Sequence, residues 1–382
     1  MRNDAAPADP PTLAPALPPA LLQRARQLPK VLLHDHLDGG LRIATLLALL
    51  RARGLAAPAD DEAGLAAWLD ARAHAGSLEE YLRGFALTVA AMATPDALAR
   101  VAFEAAEDAR AEGCVLAEFR IAPLLFEPHG IPADAAVAAL LGGLSRSPLP
   151  SGLIVCAMRH ESDAQIERAA NLALRWFAMP AQAGQARVLG FDLAGPEAGW
   201  PASRHAGLLR RVRDAGLGLT LHAGEADAGA RVLEAARLGA QRIGHGVRLV
   251  DLIDAPGDAT QAAAVLAELR QRGVHLEICP TSNLHTGAAA SLARHPIHAL
   301  WRAGVSLSFH TDNPLISRVD HSTEAARLVQ AGFGWGDLLQ MGLDAAAASF
   351  MDGAARQAAS QALLAWGQQQ GVQPTRQHQA QA

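Results

Sequence analysis

The sequence predicts a (β/α)8 barrel, and three observations carry that expectation. Short β-branched runs alternate with longer Ala-, Leu- and Arg-rich segments of helical period. Strict β-then-α alternation implies parallel strands joined by crossover helices. Eight such units in roughly 320 residues suit a closed barrel better than a doubly wound sheet, and no Gly-x-Gly-x-x-Gly follows the first run.

Taken in order, residues 1–28 are proline-rich, carry acidic residues and lack a continuous apolar run, so they read as a flexible tail and not a signal peptide. Strands are expected over 31–38, 114–121, 153–159, 188–193, 217–222, 242–247, 275–279 and 305–311. Helices are expected over 95–111, 133–144, 203–215, 228–238 and 259–272, among others. An insertion over 41–95, containing SLEEYLRGF, reads as helices lying either over the mouth as a lid or against the side. Two or three helices follow strand eight, to about residue 366, and a Gln-rich polar tail spans 367–382. The expected organisation is one barrel domain over 29–366 with a tail at each end.

Composition agrees and narrows the function classes. The chain has 382 residues, 50% of them hydrophobic, which excludes wholesale disorder. A net charge of −5 supplies no global basic field for nucleic acid or an anionic membrane. No stretch approaches the roughly 18 uninterrupted apolar residues of a membrane span. Cys114, Cys156 and Cys279 are too few and too scattered for a disulfide framework, which fits a cytoplasmic setting. There are 15 histidines, while Lys30 is the only lysine.

The polar groups collect at the C-terminal ends of the expected strands, where barrel enzymes build their sites. Strand one ends in LLHDHLDGG, and alternation puts Leu32, His34, His36 and Asp38 on one face. Two histidines at that spacing can hold one ion from the same side. Strand five ends in LTLHAGE, with His222 at the rim and Glu225 just beyond. Strand six supplies GHG, with His245 between glycines that permit close backbone approach. Strand eight ends in HTDNP and delivers Asp312 and Asn313. Three imidazoles and one carboxylate with an open position suit Zn²⁺, although Fe²⁺, Mn²⁺ or Co²⁺ fit the same donors. A divalent ion lowers the pKa of water to about 7. His245 could orient the attacking water or accept its proton, and Glu225 is the candidate general acid. Of the other histidines, His74, His129, His205, His295, His298, His321 and His378 are expected to be solvated. His310 could support a neighbouring ligand, His275 and His285 flank strand seven with no obvious partner, and His160 could lie near the site.

The motifs HDHLDGGLR, SLEEYLRGF, EFRIAP, GFDLAGPE, LHAGE, RIGHGVRL, EICPTSN and HTDNPLIS, in this order, resemble adenosine deaminase, in particular its bacterial branch. The resemblance runs from about residue 29 to 350. It implies one bound Zn²⁺ held by His34, His36, His222 and Asp312, with Glu225 donating a proton to purine N1. It makes His245 the residue that orients or deprotonates the water, and brings the backbone of Gly195 to N3. Asp38 and His36 would lie near the ribose hydroxyls, and Asn313 would contact N7. Many members carry Asp at that last position. Because N7 is an acceptor, an Asp must be protonated to bond it, whereas an Asn amide donates while neutral. The implied substrate is a small purine nucleoside.

Other chemistries fit less well. The H-x-E and P-C-x-x-C pattern of the other zinc deaminases is absent. A two-metal centre bridged by a carboxylated lysine would need a lysine at a strand's rim, and Lys30 precedes strand one. Relatives within the family act on adenine, AMP or modified adenine nucleosides; an AMP enzyme would need a phosphate site, and no basic cluster follows these motifs, while adenine or a modified adenine nucleoside stays open as the alternative substrate. A silent metal-binding barrel would be expected to have lost Glu225, His245 or a ligand, and all are present.

Overall fold

A computed structural model describes residues 16–73, 78–180, 184–254 and 259–375. His74, His378 and the outer parts of both tails lie outside the described residues. Helix α1 (Pro19–Gln27) leads into strand β1 (Lys30–Leu32). The insertion then supplies α2 (Ile43–Ala52), α3 (Glu62–Ala73) and α4 (Leu78–Met92). Next come α5 (Pro95–Ala111), β2 (Cys114–Ile121), α6 (Ala133–Leu144), β3 (Ser151–Met158), α7 (Asp163–Phe177) and β4 (Val188–Ala194). They are followed by α8 (Ala206–Asp214), β5 (Gly218–Ala223), α9 (Ala230–Arg237), β6 (Arg242–His245), α10 (Val250–Ile253) and α11 (Ala259–Arg272). Then come β7 (His275–Ile278), α12 (Pro280–His285), α13 (Ile297–Arg302) and β8 (Leu307–Phe309). The chain finishes with α14 (Pro314–Ser317), α15 (His321–Gln330), α16 (Trp335–Ala348) and α17 (Gly353–Gln370).

The eight strands form one parallel sheet in the order β1 to β8. The ring is completed by a parallel bridge between Asp35 and Asp312, with His36 N donating to Asp312 O at 2.7 Å and Asp312 N to His34 O at 3.0 Å. The fold is therefore the expected (β/α)8 barrel. Helix starts follow local chemistry: Thr94, Ser162, Asp320 and Asp352 each accept a bond from a first-turn amide of α5, α7, α15 and α17. On α5, Leu98, Val101, Ala102, Ala105, Ala106 and Ala109 recur at helical spacing and are buried against the barrel.

Beneath the rim, the barrel interior is ionic. Arg120 Nη1 pairs with Asp192 at 2.8 Å and its Nη2 with Glu277 at 2.6 Å. Arg242 pairs with Glu277 through Nε at 2.6 Å and with Glu118 through Nη1 at 2.6 Å. Glu118 in turn accepts from Ser349 Oγ and Phe350 N at 2.6 Å, and the Arg242 guanidinium lies 3.8 Å from the Phe350 ring centre. The segment after α16 thus plugs the bottom of the barrel. All five charged side chains are buried.

Several expectations change. Strand one was expected over 31–38 but ends at Leu32, because His34 to Asp38 leave the ladder to form the rim and a short 3-10 turn at Leu37–Gly39. Strand eight likewise ends at Phe309, before Thr311, since Asp312 adopts a left-handed backbone at φ 61°. Strand six stops at His245, also left-handed at φ 63°. The expected flexible tail over 1–28 contains helix α1, which buries Ala25 and whose end is tied by Lys30 Nζ to the carbonyls of Ala25 and Leu28. Among the described residues four helices, not two or three, follow β8, and the last runs to Gln370, past the expected start of the tail at 367. No single helix among the described residues is long and apolar enough to cross a membrane.

Candidate metal-dependent active site

His34, His36, His222 and Asp312 converge from the rims of β1, β5 and β8, and their nearest donor atoms all lie within 4.8 Å of one another. His36 Nε2 is 3.3 Å from His222 Nε2, and Asp312 Oδ1 is 3.2 Å from His34 Nε2 and 3.5 Å from His36 Nε2. Donors around a tetrahedral ion with bonds of about 2.0–2.1 Å to nitrogen stand about 3.3 Å apart, so this donor set fits such an ion. His34 Nε2 is buried without a hydrogen-bond partner, as an atom reserved for an ion would be.

The orientation of the rings comes from the ionic interior. His34 Nδ1 donates to Glu277 Oε2 at 2.9 Å, and His222 Nδ1 lies 2.9 Å from Asp192 Oδ2. Each Nδ1 is thereby committed and each Nε2 turned to the common point. Arg120 bridges these two carboxylates. Burial would raise the Asp192 carboxyl, but His222 and Arg120 beside it hold it well below the usual carboxylate range. Glu277 is likewise low despite burial, because Arg120 and Arg242 flank it. Burial keeps His36 far below the usual imidazole value, so its ring is neutral with a lone pair free. Asp312 is held low against burial by His34, whose Nε2 stands 3.2 Å away. Set against Arg120 and Arg242, the carboxylates Glu118, Asp192 and Glu277 leave one negative charge, and Asp312 adds a second. A divalent cation balances both.

Gly244 makes room for this arrangement: a Cβ there would lie 2.9 Å from His34 Cε1. The glycine before His245 therefore serves the approach of His34. His245 and Asp312 both have φ near +60°, uncommon for residues with side chains and typical of functional sites.

Glu225 and His245 stand next to the donors. Glu225 Oε1 accepts from Asn283 Nδ2 at 3.0 Å and from Thr286 Oγ1 at 2.8 Å, while Oε2 lies 3.5 Å from His245 Nε2. The second amide proton of Asn283 reaches His245 Nδ1 at 3.1 Å. Ser282 Oγ donates to Asp312 Oδ2 at 2.6 Å. Short helix α12 thus supports three site residues at once.

His36, His222, Glu225, His245 and Asp312 form the floor of a cavity of about 570 Å³, with His34 buried behind them, and its wall also includes Asp38, Gly195, Asn313, Leu125 and Met158. Phe85, Ala86 and Val89 of α4 line it too, so the insertion covers the mouth and does not lie solely on the side. No lysine or arginine lines the cavity among the described residues. Burial raises Asp38 to about 7.

All the residues singled out from sequence therefore meet in one place: His34, His36, Asp38, Gly195, His222, Glu225, His245, Asp312 and Asn313. Other expectations are corrected. His205, His295 and His321 are buried, not solvated, because each sits where its helix or loop packs inward. His160 does line the cavity. His310 supports the site only through backbone, its Nδ1 accepting from Leu33 N at 3.2 Å. His275 has partners in Ser306 and Ser308, at 2.9 and 2.7 Å. Asn283, Thr286, Glu197 and the carboxylates behind the histidines were not foreseen. EICPTSN held Glu277 and Asn283 in view, but nothing local marks either side chain as facing the site.

The match to known proteins is extensive. The family model described as adenosine deaminase matches residues 29–366. The adenosine deaminase of Mycobacterium tuberculosis strain H37Rv is 43% identical over 343 residues, covering 86% of this chain and 92% of that protein. Among solved structures, an adenine deaminase from Arthrobacter aurescens has a TM-score of 0.78 at 24% identity, covering 89% of this chain and 99% of its own. An amidohydrolase from Burkholderia ambifaria with bound Zn has a TM-score of 0.76 at 24% identity, covering 95% and 98%. At that identity the two structures bear on the fold alone. The family model and the mycobacterial relative, each spanning most of the chain, show that the chain belongs to the adenosine deaminase family.

Proposed function

We propose that this chain hydrolyses adenosine and 2′-deoxyadenosine to the corresponding inosine and ammonia. The observation that carries the reading is the convergence of His34, His36, His222 and Asp312 beside Glu225 and His245 on one cavity floor. In this reading those four side chains hold one divalent ion, Zn²⁺ by their three-imidazole, one-carboxylate chemistry. When bound, the ion lowers the pKa of water to about 7 and so supplies hydroxide at neutral pH.

The chain's own residues supply position and protons. Because Glu225 Oε1 already accepts two hydrogen bonds, the proton it donates is carried on Oε2 and passes to purine N1. His245 Nδ1 accepts from Asn283, so a neutral ring carries its proton on Nε2 and presents a donor to the attacking water. That supports an orienting role for His245 over a deprotonating one. Hydroxide adds at C6 as N1 gains the proton; the hydroxyl proton then passes to the amino nitrogen as its bond to C6 breaks, releasing ammonia and leaving a 6-oxo purine. Gly195 meets N3 through its backbone, Asp38 and His36 the ribose hydroxyls, and Asn313 N7, an assignment supported by their places in the cavity wall. The volume of about 570 Å³ favours a nucleoside over a bare base, and the lack of lysine or arginine among the described wall residues favours it over a nucleotide. Three buried free thiols support action in a reducing cytoplasm.

The test is turnover by the purified protein, followed by ultraviolet absorbance on adenosine, deoxyadenosine, adenine and AMP. Adenosine is expected to be converted, with activity lost on chelation and lowered about 10²–10⁴-fold in Glu225→Gln. Undiminished turnover by that variant would sink the assignment of the acid. Faster turnover of adenine than of adenosine would refute the nucleoside.

A further inference from the structure

We propose that Glu197 is a positioning residue for Glu225, its buried carboxylate fixing the backbone from which the proton donor projects. The inference rests on the role given to Glu225 above. Glu197 follows the end of β4 and is 5% exposed. Its Oε1 accepts from Gly224 N at 2.5 Å, and its Oε2 accepts from Glu225 N, Ala226 N and Asp227 N at 2.9, 2.9 and 3.1 Å. Four successive amides after β5 therefore converge on one carboxylate, an anion-binding concavity filled by the chain itself. The turn that aims them needs Gly224, whose φ is +71° and where a Cβ would lie 2.5 Å from Val232 Cγ2.

The arrangement is specific for a carboxylate. Two oxygens without hydrogens satisfy four donors, whereas a glutamine amide must turn an NH₂ group towards at least one of them. The consequence falls on Glu225. Its side chain is gripped from α12 by Asn283 and Thr286, and its own amide is gripped by Glu197. Released from Glu197, the loop shifts the donor relative to a reacting atom held by other strands. A misplacement of about 1 Å at a reacting centre costs about 10²-fold in rate. Substrate contacts from β1 and β8 lie on other strands, so the loss falls chiefly on kcat.

The experiment uses the full chain loaded with zinc. In Glu197→Gln, kcat for adenosine is expected to fall about 10–100-fold with KM within about twofold, a loss confined to the transition state. Amide hydrogen exchange over residues 224–227 is expected to quicken. Glu197→Gln added to Glu225→Gln is expected to slow the enzyme no further, since it acts through a donor already removed. Glu197→Asp, which keeps both oxygens with a shorter reach, should recover part of the rate; it replaces the Gln variant if that fails to fold. Unchanged kcat, unchanged exchange, or a full additional loss on top of Glu225→Gln would each overturn the proposal. If the wild type leaves adenosine intact, the reading of the reaction fails, and the exchange data alone decide whether Glu197 holds the loop.

Discussion

Replacing Arg120 by methionine tests how far the ionic interior of the barrel governs the site above it. The guanidinium is fully buried and bonds Asp192 at 2.8 Å, Glu277 at 2.6 Å and the carbonyl of Leu33 at 2.7 Å. Methionine keeps an unbranched apolar stem and lacks the guanidinium, so the chief loss is charge and hydrogen bonding. Breaking a buried ion pair from one side costs about 3–5 kcal/mol, because the surviving carboxylate stays in the interior without its cation. Here Glu277 keeps Arg242 at 2.6 Å and Asp192 keeps His222 at 2.9 Å, which argues against doubling that figure. A loss of about 4 kcal/mol, at about 2 °C per kcal/mol for a large domain, lowers Tm by about 8 °C. The second effect is on the ion. Glu277 and Asp192 orient His34 and His222, and loosening such supports typically costs about 10–100-fold in metal affinity. Calorimetry reads the first effect and zinc competition against a chelator reads the second. The control is Arg42→Met, which breaks an exposed pair with Asp108 and should cost less than about 1 kcal/mol. An Arg120 variant that binds zinc as tightly as wild type and melts no lower than the Arg42 variant would refute the reasoning.

Three further outcomes follow from the same geometry. Burial pushes His295 and His321 down to about 3, and each neutral ring accepts at Nδ1, from Ile297 N and from the Cys114 thiol. The folded state binds fewer protons than the unfolded one between pH about 3 and 6.5, so this stability is complete above 6.5 and is lost as pH falls. Each ring costs about 2 kcal/mol on going to pH 5, and His321→Gln should flatten the dependence of the urea midpoint on pH; an unchanged slope counts against it. Asn313→Asp should make KM for adenosine rise with pH, because only the protonated acid donates to N7; KM independent of pH in that variant removes the contact. Chelation should lower Tm in a way that added zinc reverses, by about 4 kcal/mol of stability at a thousandfold excess over Kd, and His34→Ala should be insensitive to both treatments. A His34→Ala protein still stabilised by zinc would place the ion elsewhere.

Much of the fold was legible because it is written in local pattern. β2, α5, α6 and α11 have the bounds their runs predict, being regular segments between turn signals. β1 and β8 were overestimated for a common reason: their last residues keep strand-like alternation in sequence, but the backbone turns out of the ladder to aim His34, His36 and Asp312. Tertiary demand overrode local preference there. The donor set was legible because its side chains sit in motifs at strand ends. Arg120, Asp192 and Glu277 were not, since buried charges are rare and a charge in a strand says nothing about its partners. Glu118 and Arg120, two apart in EFR, do share a strand face, which is the one trace the sequence holds of the ionic interior. Glu197 closes the motif GFDLAGPE, but nothing there marks its role, because its partners are backbone amides and amides carry no residue identity.

The bridge that joins β8 to β1 sets a timetable for the molecule. Thr311 Oγ1 and Asp35 Oδ2 meet at 2.7 Å although they are 276 positions apart in sequence. A chain leaving the ribosome exposes His34 and His36 near the outset and Asp312 only when the eighth unit has emerged. No nascent fragment ending before residue 312 holds the complete proposed donor set, so capture of an ion there has to wait for the eighth unit. An ion held by His34, His36, His222 and Asp312, as proposed, would lie across the joint between the first and last strands and clasp the ring. Without it that joint would keep only backbone and side-chain hydrogen bonds, so the metal-free protein is expected to open there first.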